Sequence, residues 1–208
     1  MIPDEKFFYE KKAFKEGYKI TAGIDKAGKG PLAGPVIAAA VIVNDKEFIE
    51  RVDDSKKLTE KMRKKAYLDI MKRCQVGIGS ASVKEIDSVN IYQATMIAMK
   101  RAVEDLKNEP DFLLVDGNMK ISFKQKYVSL TSGESKSFSI ACASVIAKVY
   151  RDQLMTDLDK QYPVYGFAKH KGYGTAEHIN AIKKYGLSEV HRHSFGPFGS
   201  KDKREFRG

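Results

Sequence analysis

Three aspartates stand where an α/β chain concentrates its chemistry. Asp25 follows a strand-forming run, Ile20 to Ile24, and opens the turn Asp25-Lys26-Ala27-Gly28-Lys29-Gly30, after which Gly34 and Pro35 lead into a second strand. Asp116 follows the apolar run Phe112 to Val115, and open α/β sheets place their sites at such strand ends. Asp152 lies in a long helical pattern in which Ser144, Lys148 and Asp152 share one face at four-residue spacing. Carboxylates drawn together from distant segments can hold hard cations, which prefer oxygen ligands. The glycines of the turn let backbone approach a ligand closely, and N–H groups in such a turn can cradle a phosphate or a sugar hydroxyl. The spacing does not fit a P-loop. Plainer readings exist: a connecting turn for the glycines, a strand-end turn for Asp116, and a surface pair of Arg151 with Asp152. Spacing alone favours the plainer readings of the aspartates and leaves the glycine turn open.

The elements that must carry these residues follow from periodicity. Phe7, Phe8, Ala13 and Phe14 recur at helical spacing and Gly17 stops the run, giving a short amphipathic helix. Val36 to Val43 is almost wholly apolar, as in a central strand covered on both faces. Thr59 caps a helix to Arg73 with Met62, Ala66, Ile70 and Met71 on one stripe. A strand is expected over Val76 to Val83 and a helix over Ile91 to Leu106, whose Met96 and Met99 read as packing residues. Pro110 then breaks the chain before the buried strand at Phe112. Tyr127 to Leu130 is a short strand, Phe138 to Leu158 a long helix ending before Pro163, and Thr175 to Tyr185 a capped helix closed by Gly186. The pattern is that of an α/β chain.

The chain has 208 residues, within the range of a single domain. Its 37 Lys and Arg against 27 Asp and Glu give a net charge of +10, which favours a polyanionic partner through phosphate contacts and counterion release. Cys74 and Cys142 match neither a zinc set nor a disulfide framework, and His191 and His193 are too few and too close to argue zinc. A reducing cytoplasm is the expected home. The charged N-terminal stretch has no signal-like apolar run, and the chain has no apolar segment of membrane-spanning length, so secretion and insertion are not expected. Nothing in the pattern requires more than a monomer.

Taken in order, several segments resemble the ribonuclease HII family. DKAGKGPLAGP from Asp25 to Pro35 is similar to the family's DEAGRGPLAGP, and DSKKL from Asp54 to Leu58 and EIDSVNIYQAT from Glu85 to Thr95 match further motifs. Val115-Asp116-Gly117, SIACASVIAKVYRD from Ser139 to Asp152, HKGYGT from His170 to Thr175 and His191 to Phe195 complete the series. The resemblance runs from about Gly23 to Phe195. It implies a ribonuclease H-like mixed sheet flanked by helices, with a core over about residues 18–160 and a small C-terminal helical portion over about 161–208. It also implies an endoribonuclease that acts on RNA/DNA hybrids and on duplex DNA with embedded ribonucleotides, as in DNA repair. The phosphodiester 5′ to the ribonucleotide is hydrolysed, leaving a 3′-hydroxyl and a 5′-phosphate.

In the family, carboxylates hold a pair of Mg²⁺ or Mn²⁺ ions. The resemblance places Asp25, Asp116 and Asp152 at three of those positions and Lys26 at the fourth, where the family has Glu. That exchange alters the local charge by two units and leaves a formal −2 on the set, so metal affinity and turnover are expected to fall severely, or to vanish in a hybrid-binding relative without catalysis. Alternatively Lys26 turns to solvent and a single-metal or Mn²⁺-dependent activity survives, with Glu134 near enough to serve as a ligand. A third reading is another metal-dependent phosphodiesterase on the same fold.

The resemblance further implies that Gly28, Lys29 and Gly30 read the ribose 2′-hydroxyl. Lys29 stands where the family has Arg and so lacks the planar donor fork. Tyr173 corresponds to a tyrosine that packs on the nucleotide after the ribose, with a core aromatic as the alternative. Ser55, Lys56, Lys57, Ser144 and Lys148 are phosphate-contact candidates, and the basic tail Lys201 to Arg207 adds nonspecific attraction or is a frayed terminus.

Overall fold

The computed structural model describes residues 2, 4–45, 47–48 and 51–196; the basic tail lies outside the described residues. A helix, α1 (Phe8–Lys15), precedes β1 (Thr21–Ala27) and β2 (Val36–Val43). Then come α2 (Glu60–Arg73), β3 (Cys74–Ala81), α3 (Val83–Glu104), β4 (Phe112–Asp116) and β5 (Lys126–Leu130). The short α4 (Gly133–Lys136) leads into the long α5 (Phe138–Gln161), and a 3-10 turn, Pro163–Tyr165, leads into α6 (Phe167–His170) and α7 (Ala176–Tyr185). The strands form one mixed sheet in the order β3-β2-β1-β4-β5. β2 is antiparallel to both its neighbours, whereas β1, β4 and β5 run parallel.

Alternation along β2 shows why its sequence is apolar throughout. Val36, Ala38, Ala40 and Ile42 pack with Ala94, Ala98 and Met99 of α3, while Ile37, Ala39 and Val41 pack with Phe138, Cys142 and Ile146 of α5. Both faces are covered, as expected of a central strand. β1 obeys the same rule: Ala22 and Ile24 face the α3 side, which turns Gly23 and Asp25 toward α5. At Gly23 a Cβ would lie 2.2 Å from the backbone carbon of Ser139, so the missing side chain lets α5 lie directly on β1.

Several boundaries differ from the sequence expectation. β1 spans Thr21–Ala27 rather than Ile20 to Ile24, so Asp25 and Lys26 belong to the strand, paired with Ala39 and Ala38 of β2, and the turn starts after Ala27. β3 spans Cys74–Ala81 rather than Val76 to Val83, because Ser82 caps a helix instead of continuing the strand. Its Oγ accepts from Glu85 N–H at 3.2 Å while the Glu85 carboxylate accepts from Ser82 N–H at 2.8 Å, a capping box. α3 therefore starts at Val83, and the expected start at Ile91 is a second start after a break: Asn90 has φ 69°, and its Oδ1 accepts from Tyr92 and Gln93 N–H at 2.9 and 3.1 Å. α5 runs on to Gln161. Among the described residues, no helix is long and apolar enough to cross a membrane.

Candidate active site

Because β1 and β4 run parallel with Ile24 beside Val115, their carboxyl ends bring Asp25 and Asp116 side by side. Leu113 and Val115 face α3, so alternation turns Asp116 toward α5, the same side as Asp25. Asp25 is buried at 6% exposure. Burial pushes its carboxyl up to about 6, with the Asp116 charge adding to the rise and the Lys26 ammonium opposing both. For Asp116 burial also acts upward, but the hydrogen bond and charge of Lys26 outweigh it and hold the carboxyl low. Its Oδ1 accepts from Gly133 N–H at 2.9 Å, which fixes the carboxylate against the start of α4. Glu134 lies beside it, and burial together with Asp116 raises the Glu134 carboxyl.

Lys26 does not turn to solvent. Its Nζ donates to Asp25 Oδ1 at 3.3 Å and to Asp116 Oδ2, and it lies 3.5 Å from the Asp116 carbonyl. Burial alone would lower this ammonium, but Asp25 and Asp116 reverse the effect and hold it above its ordinary range. The cleft around the pair has a volume of about 380 Å³, and its charged lining comprises Lys26, Lys29, Lys56, Lys148 and Arg151 against Asp25 and Asp116. Such a lining attracts phosphate and repels divalent cations. A pair of metal ions does not fit this donor set: the ammonium takes an oxygen of each carboxylate, and among the described residues no group of three or more His, Cys, Asp or Glu is gathered to hold a metal ion.

Asp152 lines a second, smaller cavity with Glu60, Arg63, Lys64 and Lys171, and its carboxylate accepts from Lys148 Nζ at 2.8 Å. The structure thus brings Asp25 and Asp116 together on Lys26, while the hydrogen bond of Asp152 is to Lys148, which lines the cleft. The surface pair of Arg151 with Asp152 is not found, because Arg151 points inward and is 1% exposed. Ser144 meets Ser55 at 2.9 Å between their Oγ atoms, and both line the cleft together with Lys56 and Lys148.

Gly28, Lys29, Gly30 and Tyr173 complete the lining. Tyr173 is 46% exposed and therefore not a core aromatic. A Cβ on Gly30 would lie 3.8 Å from Tyr173 Cε1, so ring and turn face each other. Gly28 has φ +91°, and a Cβ there would lie 2.1 Å from Arg151 Nε, so both conformation and space require glycine.

Sequence reasoning missed what holds this turn. Arg151 donates to the carbonyls of Pro35, Ala33 and Lys171 at 3.0–3.1 Å, and Arg192 donates to those of Gly28, Lys29 and Gly34 at 2.6–3.2 Å. Burial lowers both guanidinium groups, Arg151 to about 10 and Arg192 to about 9. The only signal in the sequence was their presence inside motifs, with no indication that they point inward.

The parallel strands with paired aspartates at their carboxyl ends, the long helix behind them and the sheet order β3-β2-β1-β4-β5 define a ribonuclease H-like α/β protein. Comparison with known proteins narrows this class. A family model described as Ribonuclease HII matches residues 22–197, and the ribonuclease HII of Acetivibrio thermocellus is 54% identical over 193 residues, 92% of this chain and 75% of the relative. The chain belongs to the ribonuclease HII family. Among solved structures, the ribonuclease H2 from Pyrococcus horikoshii OT3 superposes with a TM-score of 0.74 at 24% identity, covering 91% of this chain and 99% of the other. A Bst-RNase HIII in complex with Mn²⁺ superposes at 0.68 with 19% identity, covering 89% and 70%. Both show the same fold.

Proposed function

We propose that this chain binds duplexes carrying ribonucleotides, either RNA/DNA hybrids or DNA with an embedded ribonucleotide, and hydrolyses the 5′ phosphodiester far more slowly than an acidic residue at position 26 would permit. Family membership supports the substrate class and the hydrolase chemistry. The observation that carries the impairment is the Lys26 ammonium bonded to both Asp25 and Asp116. A cation built into the chain satisfies the carboxylates that family members use for Mg²⁺ or Mn²⁺. Gly28, Lys29 and Gly30 would read the ribose, Tyr173 would pack on the following nucleotide, and Ser55, Lys56, Ser144 and Lys148 would hold backbone phosphates. Such a protein acts as a cytoplasmic monomer in the repair of ribonucleotide-containing DNA.

The test measures binding and cutting of a duplex with one embedded ribonucleotide, in Mg²⁺ and in Mn²⁺, for this chain and for Lys26→Glu. Both proteins should bind, with affinity falling steeply as salt rises. Lys26→Glu should cut at least ~10²-fold faster, since electrostatic stabilisation by metal contributes several kcal/mol. Absence of any gain would show that Lys26 is not the obstacle. Equal cutting of all-DNA duplex would point instead to a general phosphodiesterase.

A further inference from the structure

Arg192 is 1% exposed and makes no ion pair with a carboxylate among the described residues. Its donors are spent on main-chain carbonyls: Nη2 on Gly28 at 2.6 Å, Nη1 on Lys29 at 3.2 Å, and Nε and Nη2 on Gly34 at 2.9 and 2.8 Å. A planar trans peptide points its C=O and the next N–H in opposite directions. With the Gly28 and Lys29 carbonyls drawn inward to the guanidinium, the N–H groups of Lys29 and Gly30 are turned outward. Neither has a protein partner among the described residues, and both residues line the cleft.

The segment that delivers Arg192 is itself fastened. Arg192 N–H donates to Leu32 O at 2.8 Å, Gly34 N–H donates to Val190 O at 2.8 Å, and the Asp87 carboxylate accepts from the N–H groups of His193 and Ser194 at 3.0 and 2.9 Å. Arg151 joins the same turn, at Ala33 and Pro35, to Lys171 in the loop that carries Tyr173. A lysine at position 192 would keep the charge but could not span carbonyls on both sides of the turn, because only a guanidinium has the rigid fork.

We infer that Arg192 is a specificity-determining positioning residue: from beneath the Gly28-Lys29-Gly30 turn it presents two adjacent N–H donors to a ribose hydroxyl, and so sets the preference for ribonucleotide over deoxyribonucleotide. The inference rests on the proposed reading that this turn meets the ribose. It assigns discrimination to a residue that never touches the nucleic acid.

The decisive quantity is a ratio of affinities, read by fluorescence anisotropy for a duplex with one ribonucleotide and for the same duplex in all-DNA form. In Arg192→Lys the ribonucleotide preference should fall about three- to ten-fold, the weight of one or two neutral hydrogen bonds. A merely structural role would weaken both affinities together and leave the ratio unchanged. An unchanged ratio in a folded Arg192→Lys, beside a preference in the unaltered chain, overturns the role of Arg192 alone. No preference in the unaltered chain overturns the reading of the turn itself. Should Arg192→Lys fail to fold, hydrogen exchange on the unaltered chain decides: the Lys29 and Gly30 amides should gain protection with the ribonucleotide duplex beyond that with all-DNA duplex, and equal protection overturns the proposal.

Discussion

Lys26 and Asp116, ninety positions apart, form a contact ion pair at the carboxyl ends of two parallel strands, and the same ammonium reaches Asp25 Oδ1 at 3.3 Å. An internal cation has advantages over a bound one: it needs no dissolved metal and cannot dissociate. It also cannot polarise a phosphate oxygen as a divalent ion does. Thermal unfolding should therefore be indifferent to Mg²⁺ and Mn²⁺ in this chain, whereas Lys26→Glu should gain a metal-dependent rise in Tm by ligand linkage. Lys26→Met should destabilise by ~3 kcal/mol, near the low end for an orphaned buried charge, because the Lys26 side chain retains 20% exposure. A rise of several degrees for the unaltered chain in Mg²⁺ would contradict this account of the pair.

Tyr173 supplies a second prediction. Its ring is half exposed and faces Gly30 across the cleft, an arrangement suited to a base or sugar and not to packing of the fold. Tyr173→Ala should cost ~1–3 kcal/mol of affinity for a ribonucleotide-containing duplex, the range for stacking on an aromatic platform, with little change in Tm. An affinity within two-fold of the unaltered chain would remove Tyr173 from the binding surface.

Most of the sheet could be read from the chain because the short continuous apolar runs of β2 and β4, bounded by turn residues, suit strands covered on both faces. The short helices α4 and α6 could not, since four residues carry no period. Asn90 escaped because a residue that ends one helical stretch and caps the next looks, in one dimension, like an ordinary interior position. Asp25 and Asp116 were visible as strand-end residues, and four-residue spacing already set Lys148 beside Asp152, but the pairing of Lys26 with both Asp25 and Asp116, ninety positions away along the chain, is not encoded in spacing. Arg151 and Arg192 were the least legible. A charged residue reads as surface unless its carbonyl partners, here more than 100 positions away for most of the bonds, are known.

Gly28 and Gly30 should respond differently to the same substitution. At Gly28 an alanine meets φ +91° and Arg151 Nε at 2.1 Å, whereas at Gly30 the nearest neighbour is Tyr173 Cε1 at 3.8 Å. Gly28→Ala should therefore lose ~3 kcal/mol of stability, combining the left-handed backbone penalty with displacement of a buried guanidinium. Gly30→Ala should stay within about 0.5–1 kcal/mol and show its effect in duplex affinity. Urea denaturation of the two variants decides the matter, and equal stabilities would mean that the turn is looser than its bonds to Arg151 and Arg192 require.

His191 makes stability depend on pH. Its Nδ1 accepts from Ser188 N–H at 2.9 Å, so in the neutral ring the proton sits on Nε2, which donates to His178 Nε2 at 3.0 Å; His178 Nδ1–H then donates to the Tyr173 carbonyl at 2.9 Å. Backbone groups at both ends fix this order of tautomers, and a further proton would set donor against donor. Burial, reinforced by His178, pulls His191 down to about 4 from an ordinary 6.5. A folded value below the unfolded one means that the native state favours the neutral ring. The stability is complete above pH 6.5 and drains as pH falls toward 4, by ~3 kcal/mol at most. Asp25 works in the opposite sense, because its carboxyl is raised to about 6 in the fold and so loses stabilisation as pH rises through that value. The raw pH–stability curve mixes these with His178, which burial also lowers, and the difference between this chain and His191→Asn isolates His191 and its coupling to that ring. That difference should be flat from pH 8 to 7 and shrink steadily below 6.5; a difference that is constant down to pH 4 would mean that His191 is accessible enough to titrate normally, and the ordered chain from Ser188 to Tyr173 would have to be abandoned.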